Sequence, residues 1–244
     1  MRSLFVVLFL ALFLILGLPY MGIEYLLSKK NPHASALRQL RAVQWAFRIV
    51  LRLAGVKATI IGEENVPTDE PVLYIGNHRS YFDVVLTYSR CPRETGYISK
   101  DTMKKVPLLG LYMTRLHCLF LDRENVRQGM KVILTAIDYI KDGISICIFP
   151  EGTRNKDRDP ESLLPFKEGS FKIATKTGCK IVPMALIGTD DILENHFPWI
   201  RSRKVTLIYG KPIDPTLMSK AEQKQLGAHV QEVIHQMIHE QLNP

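Results

Sequence analysis

The feature that most constrains the fold is an alternation of strand-like and helix-like segments that begins after Gly55. Short apolar runs bounded by turn residues predict strands, and longer runs with apolar residues at helical spacing predict helices. This alternation predicts an α/β domain in which helices cover a largely buried sheet. The predicted strands are 57–62, 71–76, 96–99, 117–122, 143–149, 179–188 and 204–210, and the predicted helices are 84–88, 126–141, 166–177 and 219–240.

Three of the predicted strands end in charged or polar loops. The first is followed by NHRSYFD (77–83), the second ends in LFLDREN (119–125), and the third ends in CIFPEGTR (147–154). In an open α/β sheet, ligands bind where loops leave the carboxyl ends of the strands. A shared sheet edge would therefore bring these three loops together.

The first loop contains a histidine and an aspartate five positions apart. Ser80 and Asp83 have the spacing of a capping box, so His78 lies just ahead of a predicted helix start. A carboxylate that accepts the imidazole Nδ1–H leaves Nε2 as a base, and no serine or cysteine nucleophile accompanies the pair. The alternative is that His78 is a turn residue and Asp83 is only a favourable charge at a helix start.

FPEGTR follows a predicted buried strand. Gly152 permits a positive φ or a close backbone approach. Arg154 suits bidentate recognition of a phosphate, and Glu151 would accept a hydroxyl hydrogen bond or orient Arg154. Arg123 and Lys100 follow two other predicted strands and are further candidate phosphate partners. The alternative for each is a charged turn or surface residue, as we expect for the loop at 156–159.

The N-terminus carries no charged residue from Ser3 to Ile23. A helix over these 21 residues would be about 31 Å long, which is enough to cross a bilayer core. A retained membrane anchor is favoured over a signal peptide, because no small-residue cleavage site follows, and over a core helix. Pro19 and Gly22 would kink this helix, so a dipping insertion into one leaflet stays open.

The next segment, 34–55, has arginines on one helical face and apolar residues on another. It predicts a basic amphipathic helix at the membrane interface, with its apolar side in lipid; the alternative is an ordinary helix packed on the domain. Basic residues follow the anchor, which by the positive-inside rule places the bulk of the chain in the cytoplasm. We therefore divide the chain into an anchor (1–28), an interfacial helix (29–55) and a catalytic domain (56–244).

Charge and cysteine content limit the partners. The net charge of +8 favours anionic partners, but no nucleic-acid motif is present and the apolar N-terminus disfavours nucleic acid. The four cysteines form no metal-binding spacing and predict reduced thiols. His117 and His196 lack a supporting pattern of ligands, so no metal is expected.

These motifs together resemble the glycerophospholipid acyltransferases, the group that holds 1-acyl-sn-glycerol-3-phosphate acyltransferase (lysophosphatidic acid acyltransferase, PlsC-like). NHRSYFD resembles the NH-x4-D signature of this family, FPEGTR its second signature, LFLDR its third block and IVPMAL its fourth, and GKPI resembles its C-terminal part. The resemblance spans roughly residues 55–215. It implies a mixed sheet flanked by helices, as in glycerol-3-phosphate acyltransferase.

The resemblance also implies a reaction in phospholipid biosynthesis. A fatty acyl chain passes from acyl-CoA or acyl-carrier protein to the sn-2 hydroxyl of lysophosphatidic acid at a membrane, giving phosphatidic acid, with no cofactor. His78 would be the general base and Asp83 its orienting partner. The implied substrate-binding residues are Lys100, Arg123, Glu151, Gly152, Thr153 and Arg154. The open alternatives are a related acyltransferase that uses glycerol-3-phosphate or another lysophospholipid, and an inactive membrane-tethered binding protein.

Overall fold

The computed structural model describes residues 1–243 and contains a seven-stranded sheet. The strand order is β1-β7-β6-β2-β5-β3-β4, and every neighbouring pair is parallel except β6 and β7. The predicted α/β class with a mixed sheet is confirmed. The strands are β1 (Lys57–Ile61), β2 (Leu73–Gly76), β3 (Thr95–Lys100), β4 (Leu119–Leu121), β5 (Ser145–Ile148), β6 (Ile181–Ile187) and β7 (Lys204–Tyr209).

Helices cover both faces of the sheet. Side chains of successive strand residues point to opposite faces, so Tyr74 of β2 joins one core while Leu73 and Ile75 join the other. The first core lies against α1 to α4, and the second lies against α6, α7 and α9. The helices are α1 (Arg2–Leu16), α2 (Leu18–Ser28), α3 (Pro32–Ala54), α4 (Tyr81–Tyr88), α5 (Leu109–Arg115), α6 (Val126–Lys141), α7 (Lys172–Thr177), α8 (Lys220–Lys224) and α9 (Leu226–Leu242).

Several predicted helices have different bounds in the structure. Helix α6 has the predicted bounds, but the helix predicted at 166–177 begins only with a 3₁₀ turn at Glu168–Phe171 before α7. The helix predicted at 219–240 is divided at Gln225 into α8 and α9. Helix α5 was not predicted, because its seven residues are too few to show helical periodicity.

The N-terminal segment is two helices rather than the single helix predicted at residues 3–23. Helices α1 and α2 meet at Gly17 with a bend of 45°. Pro19 lies in the first turn of α2, where its missing N–H breaks no helical hydrogen bond. The Tyr112 hydroxyl packs against Gly17 and donates to the carbonyls of Phe13 and Leu14. Within residues 1–243 no single helix is long and apolar enough to cross a membrane; α1 and α2 meet that criterion only together, as a bent pair, by length and composition.

Helix α3 forms as predicted, but its apolar face does not point to lipid. Leu40, Val43 and Val50 are buried in the core shared with α1, α2 and α4. Arg38 pairs with the buried Glu24 of α2 through two hydrogen bonds of 2.7 and 2.8 Å. The interfacial prediction for this helix is therefore wrong in its orientation. An amphipathic stripe shows which face is buried, and it does not show whether protein or lipid buries that face.

Candidate active site

Two of the three polar loops meet at one edge of the sheet. Strands β2 and β5 are parallel neighbours, so the loops that follow them leave the sheet side by side. The backbone N–H of His78 donates to Glu151 Oε1 at 2.7 Å, and the N–H of Asn155 donates to the His78 carbonyl at 2.7 Å. The predicted shared edge is confirmed for NHRSYFD and FPEGTR. The third loop follows β4, three strand positions from β2 and therefore about 14 Å away.

Asn77 fixes the exit of the chain from β2. Its side-chain amide is fully buried, donates to the Leu186 carbonyl at 2.9 Å and accepts from the Leu186 N–H at 2.8 Å. The amide therefore extends the hydrogen bonding between β2 and β6 by one residue after β2 ends. This pairing sets where the backbone turns and where His78 begins.

The predicted contact between His78 and Asp83 is confirmed. His78 Nδ1 lies 2.8 Å from Asp83 Oδ2, and the Asp83 side chain is fully buried. The same Oδ2 accepts from the backbone N–H groups of Arg79 and Ser80, each at 2.7 Å, and Oδ1 accepts from the Thr189 hydroxyl. The predicted capping box of Ser80 and Asp83 at the start of α4 is also present. A carboxylate with this many donors is held in one orientation.

The imidazole ring of His78 is fixed on a second side by stacking. It lies on Phe149 with ring centroids 4.4 Å apart and an interplanar angle of 12°. The side chain remains 17% exposed, so part of it is open to a ligand. Because Asp83 accepts the Nδ1 proton, the arrangement leaves Nε2 as a proton acceptor. This geometry can serve general base chemistry on a hydroxyl group.

Glu151 has a different position from the one predicted. It is 4% exposed, and its carboxylate accepts from the backbone N–H groups of His78 at 2.7 Å and Leu164 at 3.1 Å. Both oxygens therefore bind backbone, and neither contacts Arg154. Burial raises the pKa of Glu151 to about 7, and these two hydrogen bonds oppose that rise. Glu151 is a positioning residue for His78.

Arg154 contacts residues that the sequence did not connect with it. Its guanidinium lies 3.9 Å from the Tyr81 ring centroid and donates to Glu194 Oε1 at 2.9 Å. Glu194 also accepts from the Ser80 hydroxyl at 2.6 Å and from the Tyr81 N–H at 2.8 Å. The positive charge of Arg154 thus stands at the start of α4, next to the histidine loop, and is already paired.

Arg79, inside NHRSYFD, connects the site to the loop that was expected to be only solvated. Its side chain is buried, pairs with Asp190 at 3.3 Å and donates to the backbone carbonyls of Asp157, Asp159 and Ser162. The side chains at 156–159 are exposed as expected, but their backbone is fixed by this buried arginine. The loop therefore belongs to the frame of the site.

The other predicted site residues lie along the same edge. Gly152 has φ +74, so the positive φ, one of the two possibilities that the sequence left open, is present, and Thr153 beside it is exposed. Lys100 ends β3, two strand positions from β2, and Arg123 follows β4; both are exposed. Lys167 adds a cation that the sequence did not indicate, since a Cβ on Gly152 would lie 2.8 Å from its Nζ.

Two further site residues follow β6 and were missed. Thr189 binds Asp83, and Glu194 binds Arg154. The pattern that led to the other loops, an apolar strand followed by polar residues, is also present in IVPMALIGTDD (181–191). Applying that pattern to this fourth strand would have placed Thr189 at the edge. Glu194 has no local signal, because its partner Arg154 lies 40 positions away and its other partners, Ser80 and Tyr81, lie more than 100 positions away.

A histidine oriented by a buried carboxylate, in a loop at the carboxyl edge of a mixed α/β sheet, is the arrangement of a candidate enzyme active site. A family model described as Acyltransferase matches residues 57–187. The chain belongs to this acyltransferase family.

Individual relatives agree with the family. The chain is 30% identical to the 1-acyl-sn-glycerol-3-phosphate acyltransferase of Haemophilus influenzae over 93% of this chain and 89% of that protein. It is 30% identical to the enzyme of the same name from Borreliella burgdorferi over 77% of this chain and 74% of that protein. The chain spans only 47% of the Chlamydomonas reinhardtii relative, at 32% identity over 65% of its own length.

A solved structure shows the same fold. The crystal structure of the 1-acyl-sn-glycerophosphate (LPA) acyltransferase PlsC from Thermotoga maritima matches with a TM-score of 0.75 over 98% of both chains, at 24% sequence identity. The likeness covers the N-terminal helices as well as the sheet, since almost the whole chain is included.

Proposed function

We propose that this chain transfers a fatty acyl group from a thioester donor, acyl-CoA or acyl-carrier protein, to the sn-2 hydroxyl of lysophosphatidic acid. The observation that carries the proposal is the hydrogen bond between His78 Nδ1 and Asp83 Oδ2, which leaves the other ring nitrogen, Nε2, as the proton acceptor. The names of the relatives supply the acceptor, because several are 1-acyl-sn-glycerol-3-phosphate acyltransferases. The product would be phosphatidic acid.

The proposed reaction is a direct transfer. His78 Nε2 takes the proton of the sn-2 hydroxyl while its oxygen attacks the thioester carbonyl carbon. Asp83 stabilises the imidazolium that forms, and the tetrahedral intermediate collapses with cleavage of the C–S bond. The leaving thiolate takes the proton from Nε2, so the products are an ester and a free thiol. No acyl-enzyme forms, which accords with a site that has no nucleophile beside its base.

The acceptor phosphate is assigned to the cations along the edge. Arg154 is nearest to the histidine loop, and a phosphate there would compete with Glu194 for its guanidinium. Lys167, over Gly152, provides a second charge close by. Lys100 and Arg123 lie further along the edge, where they suit the phosphates of a larger anionic substrate or donor.

We also propose that the enzyme works on a membrane. The exposed side of the α1–α2 pair is almost entirely apolar, and the bend suits insertion into one leaflet without crossing it. The basic residues that follow α2 then lie on the cytoplasmic side, where lysophosphatidic acid, membrane phospholipid and either thioester donor meet.

The test is an acyl-transfer assay with the purified full chain in detergent. Lysophosphatidic acid, glycerol-3-phosphate and lysophosphatidylglycerol are offered in parallel, each with acyl-CoA and with acyl-carrier protein as donor. His78→Ala is the inactive variant, and His229→Ala, at an exposed position on α9, is its control. We expect product from lysophosphatidic acid, lost in His78→Ala by a factor of about 10²–10⁴ and kept in His229→Ala.

Other outcomes are equally informative. Product from a different acceptor that still depends on His78 would keep the base and change the substrate. Product that survives in His78→Ala would remove the base assignment. Absence of product with every pair would favour the non-enzymatic alternative, a membrane-tethered binding protein.

A further inference from the structure

Two aromatic side chains stand out from the segment between β6 and β7. Phe197 is 77% exposed and Trp199 is 59% exposed. Large aromatic side chains are normally buried, and adjacent exposed ones mark an interaction surface. Neither the proposed reaction nor the sheet core accounts for their exposure.

The segment that presents these rings is firmly held. Ile192 and Ile200 on either side of them are buried, and the Arg201 N–H donates to the Ile192 carbonyl at 2.8 Å. The Trp199 N–H donates to the His196 carbonyl at 2.7 Å. The two rings are therefore projected from a closed, hydrogen-bonded turn whose flanks are anchored in the core.

This turn lies directly beside the first turn of α1. The Ile200 N–H donates to the Ser3 hydroxyl at 2.8 Å. The residues that follow Ser3 expose large apolar side chains, with Leu4 at 67% and Phe5 at 54%. The aromatic turn and the exposed apolar residues at the start of α1 thus lie next to each other.

The same turn is connected to the active site. Glu194, three positions before Phe197, accepts from the Ser80 hydroxyl and the Tyr81 N–H at the start of α4, and from Arg154. The segment runs from the carboxyl end of β6 to the start of β7, which is the edge of the sheet that carries His78. Whatever binds the aromatic rings is therefore held at the same edge as the site.

We propose that Phe197 and Trp199 insert into the interface of a lipid bilayer and form a second membrane attachment point beside α1. Their position beside the exposed apolar side chains of α1 favours lipid over a protein partner. Tryptophan and phenylalanine suit the boundary between headgroups and acyl chains, and the exposed Arg201 beside them suits anionic headgroups. Two attachment points on one side of the molecule fix the tilt of the domain and hold the His78 edge at the leaflet surface.

The test uses tryptophan fluorescence, because the chain has only two tryptophans. In the full-length Trp45→Phe variant, Trp199 is the one remaining indole. The protein is bound to phosphatidylcholine–phosphatidylglycerol vesicles, with or without lipids brominated near the headgroup end of their acyl chains. We expect the emission of Trp199 to shift to shorter wavelength and to be quenched by the brominated lipid.

A matched control reports from the opposite edge of the sheet. Leu217 is 85% exposed and follows β7, whose direction opposite to β6 carries it away from the His78 edge. A Leu217→Trp substitution in a Trp45→Phe, Trp199→Phe background should give an indole that the brominated lipid does not quench. Quenching confined to Trp199 supports the proposal, whereas an unquenched Trp199 in vesicle-bound protein, or equal quenching at both positions, overturns it.

A second measurement does not depend on fluorescence. The Phe197→Ala, Trp199→Ala variant should show vesicle partitioning reduced by about tenfold for each ring removed. Unchanged partitioning would contradict insertion of the rings. Neither measurement uses acyl transfer, so the outcome is independent of the proposed reaction.

Discussion

Glu151 Oε1 lies 2.7 Å from the backbone nitrogen of His78, and this hydrogen bond joins two loops that are 73 positions apart in the chain. The carboxylate of FPEGTR thereby sets the backbone of NHRSYFD. Its second oxygen accepts from Leu164, at the far end of the loop that Arg79 holds. These hydrogen bonds connect the loops into one frame around the imidazole of His78. Substitutions at different residues of this frame should therefore have different effects.

Titration of Glu151 should appear in the pH dependence of stability. Its pKa is raised to about 7 in the folded protein from 4.5, so between these values the folded state holds a proton that the unfolded chain releases. The contribution of this group to the free energy of unfolding therefore decreases as the pH rises through that window. The free energy of unfolding of Glu151→Gln, relative to that of the parent, should therefore rise by up to about 3 kcal/mol between pH 5 and pH 8. Denaturant unfolding at each pH measures this difference.

The control for this experiment is Glu240→Gln, at an exposed position on α9. The Glu151→Gln difference from the parent is compared with that of this exposed change of the same type. If the Glu151→Gln difference does not change between pH 5 and pH 8, the raised pKa of Glu151 is wrong.

Replacing Asp83 with asparagine should reduce turnover while substrate binding is largely kept. In the parent protein the backbone N–H groups of Arg79 and Ser80 donate to the carboxylate, and in the variant they would face an amide NH2 group that cannot accept. The variant would also lose the carboxylate that selects the His78 tautomer with its proton on Nδ1. We expect kcat to fall by about 10²–10⁴. Steady-state kinetics of the variant, with Asp138→Asn on the exposed side of α6 as control, measure the effect.

Thr189→Val provides a milder version of the same change. It removes only the hydroxyl that donates to Asp83 Oδ1 and keeps the side-chain shape. A fall in kcat that is smaller than for Asp83→Asn, with an unchanged acceptor KM, is expected. A change in KM alone would show that Thr189 contacts substrate instead of orienting Asp83.

Removing Arg154 should weaken binding of the acceptor. A charge-assisted hydrogen bond to phosphate contributes about 1.5–3 kcal/mol, so Arg154→Ala should raise the acceptor KM about 10- to 100-fold. Glu194→Gln should instead lower the acceptor KM, because it frees the guanidinium of Arg154 from its present carboxylate partner. Acceptor titrations, with Arg158→Ala in the exposed loop as control, decide between these outcomes. An unchanged KM in Arg154→Ala would exclude it from the phosphate site.

Arg79→Lys should loosen the loop at 155–164. A lysine cannot make the set of bonds by which the buried guanidinium binds Asp190 and three backbone carbonyls. We expect a loss of about 2–4 kcal/mol of stability and faster amide hydrogen exchange in this loop. Arg127→Lys, exposed on α6, is the matched control, and exchange rates in the loop that do not change would show that other contacts hold it.

Much of the fold was predictable because its signals are local. Apolar periodicity located all seven strands and the bounds of α6, and the Ser80 cap predicted the start of α4. Short or irregular elements were not predicted correctly. Helix α5 is one example, and the break at Gly17 is another, since the sequence placed the kink at Pro19 and Gly22 while the helix actually ends before Gly17.

The sequence by itself determined that His78 and Asp83 meet: they lie within one turn and a helix start, so their contact depends on local geometry alone. Only the tertiary structure decided how they are held. Asn77 binds Leu186 of β6, 109 positions away, and Thr189 binds Asp83 across 106 positions. Glu151 accepts from the backbone N–H of His78 and does not contact Arg154. The face of α3 was likewise decided by packing. Contacts between distant residues depend on strand order and burial, and a pattern of neighbouring residues contains neither.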